Sequence, residues 1–142
     1  MAKFKDNHDR EWNVILNLGT VKKVKTVTGF DFLAGDDNAH PILKLAGDVC
    51  LFGDVLWTLC ESQAREKAVS EIDFAESLAG DSIEAATNAL AEGYSNFCPS
   101  PQRRKILTDL WGKIRTVERL ELDKAEKTVA ELDAATLSTH GK

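Results

Sequence analysis

From Trp12 to Leu18 apolar and polar positions alternate: Trp12, Val14, Leu16 and Leu18 fall on one side, and Asn13, Ile15 and Asn17 on the other. A two-residue period of this kind is the mark of a half-buried strand. Gly19-Thr20 interrupts it, and Val21 to Val27 resumes with Val and Thr, so the pair predicts a β-hairpin. Lys22, Lys23 and Lys25 would then protect an exposed sheet edge, or alternatively contact an acidic partner. Residues 28–38, with Gly29, Gly35 and the turn formers Asp36-Asp37-Asn38, predict a loop or one helical turn.

Beyond Pro41 the period changes to three and four. Ile42, Leu45, Val49, Phe52, Val55, Leu56, Leu59, Cys60 and Ala64 make the stripe of a core helix, with Pro41 at a first helical position and a break near Gly47-Asp48, where Asp48 caps a second segment. Ser70-Glu71-Ile72-Asp73 has the form of a capping box and predicts a short helix with Ile72, Ala75 and Leu78 inward. Asp81-Ser82-Ile83-Glu84 repeats that form and opens a helix with Ile83, Ala86, Leu90, Tyr94 and Phe97 on one stripe, ended by Pro99. Ser100 and Pro101 start a last helix whose apolar positions run from Leu107 to Leu132, thinning to alanines after Leu122. The expected fold is therefore α+β and mostly α. It has an N-terminal β-hairpin, a small helical bundle and a long C-terminal helix, with 1–11 a flexible lead-in, 12–132 a single domain and 133–142 a flexible tail.

At 142 residues and 43% hydrophobic, the chain is long enough to bury a core as one domain. No stretch approaches the roughly 18 apolar residues of a membrane span, and the charged N-terminus has no apolar segment after it, so no signal or anchor is expected and a cytoplasmic location is. Cys50, Cys60 and Cys98 are odd in number, lack CxxC spacing and sit among apolar residues, as buried free thiols do. The net charge of −5 is uneven: +3 over 1–28, −10 over 29–98 and +2 over 99–142. An acidic middle of that size repels phosphate backbones and makes nucleic acid an unlikely main ligand.

The residues that carry chemistry are sparse. His8, His40 and His140 have no Cys or carboxylate completing a metal set on a shared helix face. GxSxG and GxxxxGK[ST] are both absent, and Asp36-Asp37-Asn38 lacks the central Gly and terminal Glu of an EF-hand loop. Neither catalytic residues nor a metal or cofactor are expected. Arg103-Arg104-Lys105 with Lys113 and Arg115 is a basic cluster open to a phosphate contact, though a solvated helix face has the same composition. Trp57 and Phe52 are expected in the core, while Trp12 and Trp111 could anchor a partner.

The succession of the segment Trp12 to Lys25, then Leu51-Phe-Gly-Asp-Val-Leu-Trp-Thr-Leu-Cys-Glu-Ser-Gln-Ala, then Asp73 to Leu90 and Phe97-Cys-Pro, resembles the tail assembly chaperones of long-tailed phages and gene transfer agents over about residues 12–110. The resemblance implies a non-enzymatic protein that coats a tape-measure protein, helps recruit tail-tube subunits and leaves the finished tail, in a host cytoplasm if phage-encoded. The long Ser100 to Leu132 segment departs from the compact end that the resemblance would imply, and it leaves open an extension used for self-association, giving a homo-oligomer. The expected partner surface comprises Val21, Lys23, Lys25 and Val27 on the hairpin edge, with Trp12 and Trp111. Two other classes compete: a structural or connector protein retained in a particle, and a small DNA-binding or regulatory adaptor using the Arg103 cluster.

Overall fold

A computed structural model of the protein describes residues 2–33 and 40–140, with side chains as far as residue 135. Among the described residues the chain is mostly helical, with an N-terminal antiparallel hairpin and six helices, the last of them long, the fold class its sequence predicts. Its contacts divide it into two units, Met1–Thr108 and Asp109–Lys142.

The hairpin lies earlier in the chain than the alternation suggests. Strand β1 (Lys3–Lys5) pairs antiparallel with β2 (Glu11–Asn13), with Phe4 opposite Trp12 and both buried. β1 therefore falls within the stretch expected to be a flexible lead-in. The turn between the strands is held by Asp6, whose Oδ1 accepts from the backbone N–H groups of His8 and Arg10. The outer side of β2 meets helix α3 (Val49–Glu66), where the Gln63 side-chain amide donates to the Asn13 carbonyl and accepts from the Asn13 N–H, both at 2.9 Å. β1 packs on α5 (Asp81–Phe97). There a Cβ on Gly93 would stand 3.2 Å from Val14 Cγ1, so this close approach depends on glycine.

The second predicted strand is a helix, α1 (Leu18–Thr28). Val21 and Val24 are three apart and buried, a spacing that β-branched composition conceals. The ends decide the matter. Asn17 and Thr20 form a reciprocal capping box, and Gly29 closes the helix in the left-handed region at φ 83°. Val21, Lys23, Lys25 and Val27 accordingly form no sheet edge.

After a turn carrying the buried Phe30 and Phe32, α2 (Pro41–Ala46) and α3 follow as predicted, with Pro41 at N1 and Asp48 accepting from Leu51 N–H to cap α3. The calcium-like Asp36-Asp37-Asn38 run lies outside the described residues. α3 is the hub of the first unit, packing against α1, α2, α4 (Glu71–Glu76) and β2.

Two details differ from the sequence expectation. In α4, capped by Ser70, the inward residue is Phe74, while Ile72 is 70% exposed and Ala75 is exposed. A helix of barely two turns buries one large side chain, and Phe74 is the one within reach of Trp12 and Trp57. α5 takes Gly80, at φ 60°, as its N-cap residue with no side-chain cap, and Ser82 is instead buried and bonded to both the N–H and the carbonyl of Ala79.

The last helix, α6 (Pro101–His140), begins with Ser100 Oγ accepting from Arg103 N–H. It is helical through most of the stretch expected to be a tail. From Thr116 to Ala135 every side chain is exposed.

Candidate partner-binding groove

The first half of α3 presents Val49, Cys50, Gly53, Asp54 and Trp57 to one side of a groove whose other wall is Glu71, Phe74 and Ala75 of α4, with Leu78 and Ile83 beyond them. Its volume is about 310 Å³. α4 has six residues against the eighteen of α3, so it can cover only part of the α3 apolar stripe. Val49 is consequently 60% exposed at the mouth. Gly53 leaves the wall open, since a Cβ placed there meets nothing within 4 Å. Trp57, expected in the core, is half-buried and forms part of the wall, with its ring centroid 5.5 Å from that of Phe74.

Behind the groove Phe74 meets Trp12 edge to face at 5.0 Å, and the Trp12 indole donates to Asp6 Oδ2 at 2.9 Å. The same oxygen accepts from Arg10 Nε at 2.8 Å, and the Ser77 hydroxyl lies 3.2 Å from it. Arg10 reaches on to Asp73 of α4 at 3.0 Å. Burial alone would raise the Asp6 carboxyl, but the hydrogen bonds from Trp12, Arg10 and the turn N–H groups outweigh it and hold it down to about 2. This ionised, fully engaged carboxylate ties the hairpin turn to α4 and so fixes the groove's wall. It has no free lone pair for proton transfer chemistry.

The other shifted groups are also moved away from reactivity at neutral pH. Burial pushes His40 down to about 4, leaving it neutral, with Nδ1 accepting from Ile42 N–H as the cap of α2. Burial likewise pushes the Cys60 thiol up to about 12 and raises Cys98. The expectation of three buried thiols fails at Cys50, which is exposed on the groove's rim. No group of three or more His, Cys, Asp or Glu is gathered for a metal ion among the described residues. Nor is any helix among them long and apolar enough to cross a membrane.

The residues singled out in the sequence as a partner surface do not come together. Trp12 is 0% exposed and engaged with Asp6, and Val21 is buried on the inner face of α1. Lys23 pairs with Glu61 at 3.8 Å and Lys25 with Asp31 at 3.3 Å, while Val27 stands exposed on the same helix. Trp111 lies in the second unit, half-buried on α6. The Arg103 cluster is spread along α6, where Arg104 donates to the Cys98 carbonyl at 3.4 Å and Arg115 pairs with Glu118 at 2.9 Å. The groove was missed because its walls join residues some twenty positions apart. Its one sequence signal was an apolar stripe on α3 longer than its short neighbour could cover. Comparison with protein families, with curated proteins and with solved structures gives no match.

Proposed function

We propose that the chain is a non-enzymatic binding protein whose α3–α4 groove holds an apolar side chain from a helical segment of a partner. The groove itself carries this reading: an open, apolar-walled concavity, on a rigidly tied frame, with Val49 exposed at its mouth. Its charged lining residues are both acidic, Asp54 and Glu71, within a stretch of net charge −10. The complementary segment is an amphipathic helix with an apolar anchor flanked by Lys or Arg, the helix-in-groove mode of recognition.

Within that class, a tail assembly chaperone that shields the long helices of a tape-measure protein and helps recruit tail-tube subunits is the reading we favour. Such a role requires an apolar surface that releases its client, and a small groove with an acidic rim suits repeated, modest-affinity contacts. A retained structural component would use the same groove but would be found in finished particles.

Gly53→Leu provides the test. A Cβ at this position meets nothing within 4 Å, and replacing a mid-helix glycine raises helix propensity by about 1 kcal/mol. When the variant is co-expressed with a tape-measure-like protein, it should melt at or above the wild-type temperature yet bind at least about tenfold more weakly. Unchanged binding by the stable variant would remove the groove from the function. Stoichiometric retention in mature particles would favour the structural class.

A further inference from the structure

We propose that α6 is a self-association element that pairs two copies of this chain as an antiparallel coiled coil. This goes beyond the groove-based reading and stands independently of it, because it is read without any other partner present.

One stripe along α6 runs through Trp111, Ile114, Leu122, Ala125, Val129 and Leu132, with Glu118 between the two groups and the exposed Val117 and Leu120 off this line. The successive gaps are three, four, four, three, four and three residues, a heptad seam with a single four-residue stutter at its middle. The stretch spans about 32 Å of helix at 1.5 Å per residue. Leu122, Val129 and Leu132 are 62%, 56% and 61% exposed, and Trp111 and Ile114 are half-buried. A single helix with so much apolar surface in water gains little from its own backbone bonds.

Charge identifies the occupant as a second copy and sets its direction. Residues 101–120 hold six basic and two acidic side chains, a net +4, while 121–140 hold two basic and five acidic, a net −3. Basic residues at a helix N-terminus and acidic residues at its C-terminus both oppose the helix macrodipole. An antiparallel copy reverses each conflict, setting the basic half of one helix and its positive dipole end beside the acidic half and negative end of the other.

The stripe fits the same arrangement. Antiparallel overlap about Leu122 places Trp111 opposite Leu132, Ile114 opposite Val129 and Glu118 opposite the small Ala125. It also brings Arg115 alongside Glu126 of the second copy. The contact is isologous and closes at two chains. Parallel pairing would instead set like charges side by side along the whole length.

The test uses the full chain with nothing else present. Sedimentation equilibrium should give twice the 15.6 kDa chain mass, and Leu122→Asp with Val129→Asp, both at exposed positions, should weaken association at least about 100-fold. In a Cys50→Ala background, a mixture of Ile114→Cys and Val129→Cys chains should form the mixed disulfide, whereas neither chain should cross-link with itself. A monomer at about 100 μM, a mass other than two chains, self-linking of Ile114→Cys, or a dimer indifferent to the paired Asp substitutions would each overturn the proposal. Loss of partner binding in Gly53→Leu with the dimer intact would leave it standing.

Discussion

Asp6 and His40 are buried titratable groups with opposite roles in the frame, one kept charged and one kept neutral. For His40 the folded value of about 4 lies below the ordinary 6.5, so the folded chain favours the neutral ring. That contribution is fully present above pH 6.5 and is lost as pH falls towards 4, amounting to about 3 kcal/mol. Asp6 acts lower, its contribution being present above 3.8 and lost as pH falls through about 2, worth about 2 kcal/mol. Urea unfolding followed from pH 7 downwards should therefore show stability falling first between pH 6.5 and 4. His40→Asn, which keeps a capping oxygen but does not titrate there, should remove that first loss and leave the later one. Persistence of the upper loss in the variant would show that another group causes it. His40 was visible in the sequence only as the residue before Pro41. Its burial against Tyr94, 5.3 Å between ring centroids, depends on chain folding that no local pattern records.

At the scale of elements, caps were more informative than composition. Val21 to Val27 reads as a strand by residue type, and only Asn17, Thr20 and Gly29 mark its ends as those of a helix. Gly29 sits at φ 83°, so Gly29→Ala should destabilise the chain by about 1 kcal/mol even though a Cβ there has open space around it. A loss within error by chemical denaturation would mean that α1 tolerates another ending. α2, α3 and α6 were legible because proline, Asp48 and Ser100 coincide with the onset of helical spacing. The inward face of α4 was not legible. With six residues, periodicity has too few repeats to fix a phase, and the reach of Phe74 to two tryptophans decided it.

For the molecule as a whole, α3 joins α1, α2, α4 and β2, so a defect in its middle cannot stay local. Leu56 lies there with 0% exposure, and Leu56→Asp should unfold the first unit by placing an unpaired charge in its core. An unchanged cooperative melt by circular dichroism would contradict that hub role. The fold class was readable as a whole because most elements are long enough for their period to show. The groove was not, since it arises from the mismatch between an eighteen-residue helix and its six-residue neighbour.

Elsewhere in the first unit, β1 packs on α5, and the Gln63 amide takes up both backbone groups of Asn13 on the outer side of β2. At Asn13, therefore, the backbone groups of β2 are already engaged.

The uneven placement of the three thiols has a practical consequence. Cys60 and Cys98 are buried and Cys50 stands at the groove's mouth, so a maleimide dye added to the unaltered protein marks one place on each chain. The chain thus carries its own optical gauge, whose colour or brightness would register any molecule entering or leaving the groove in real time.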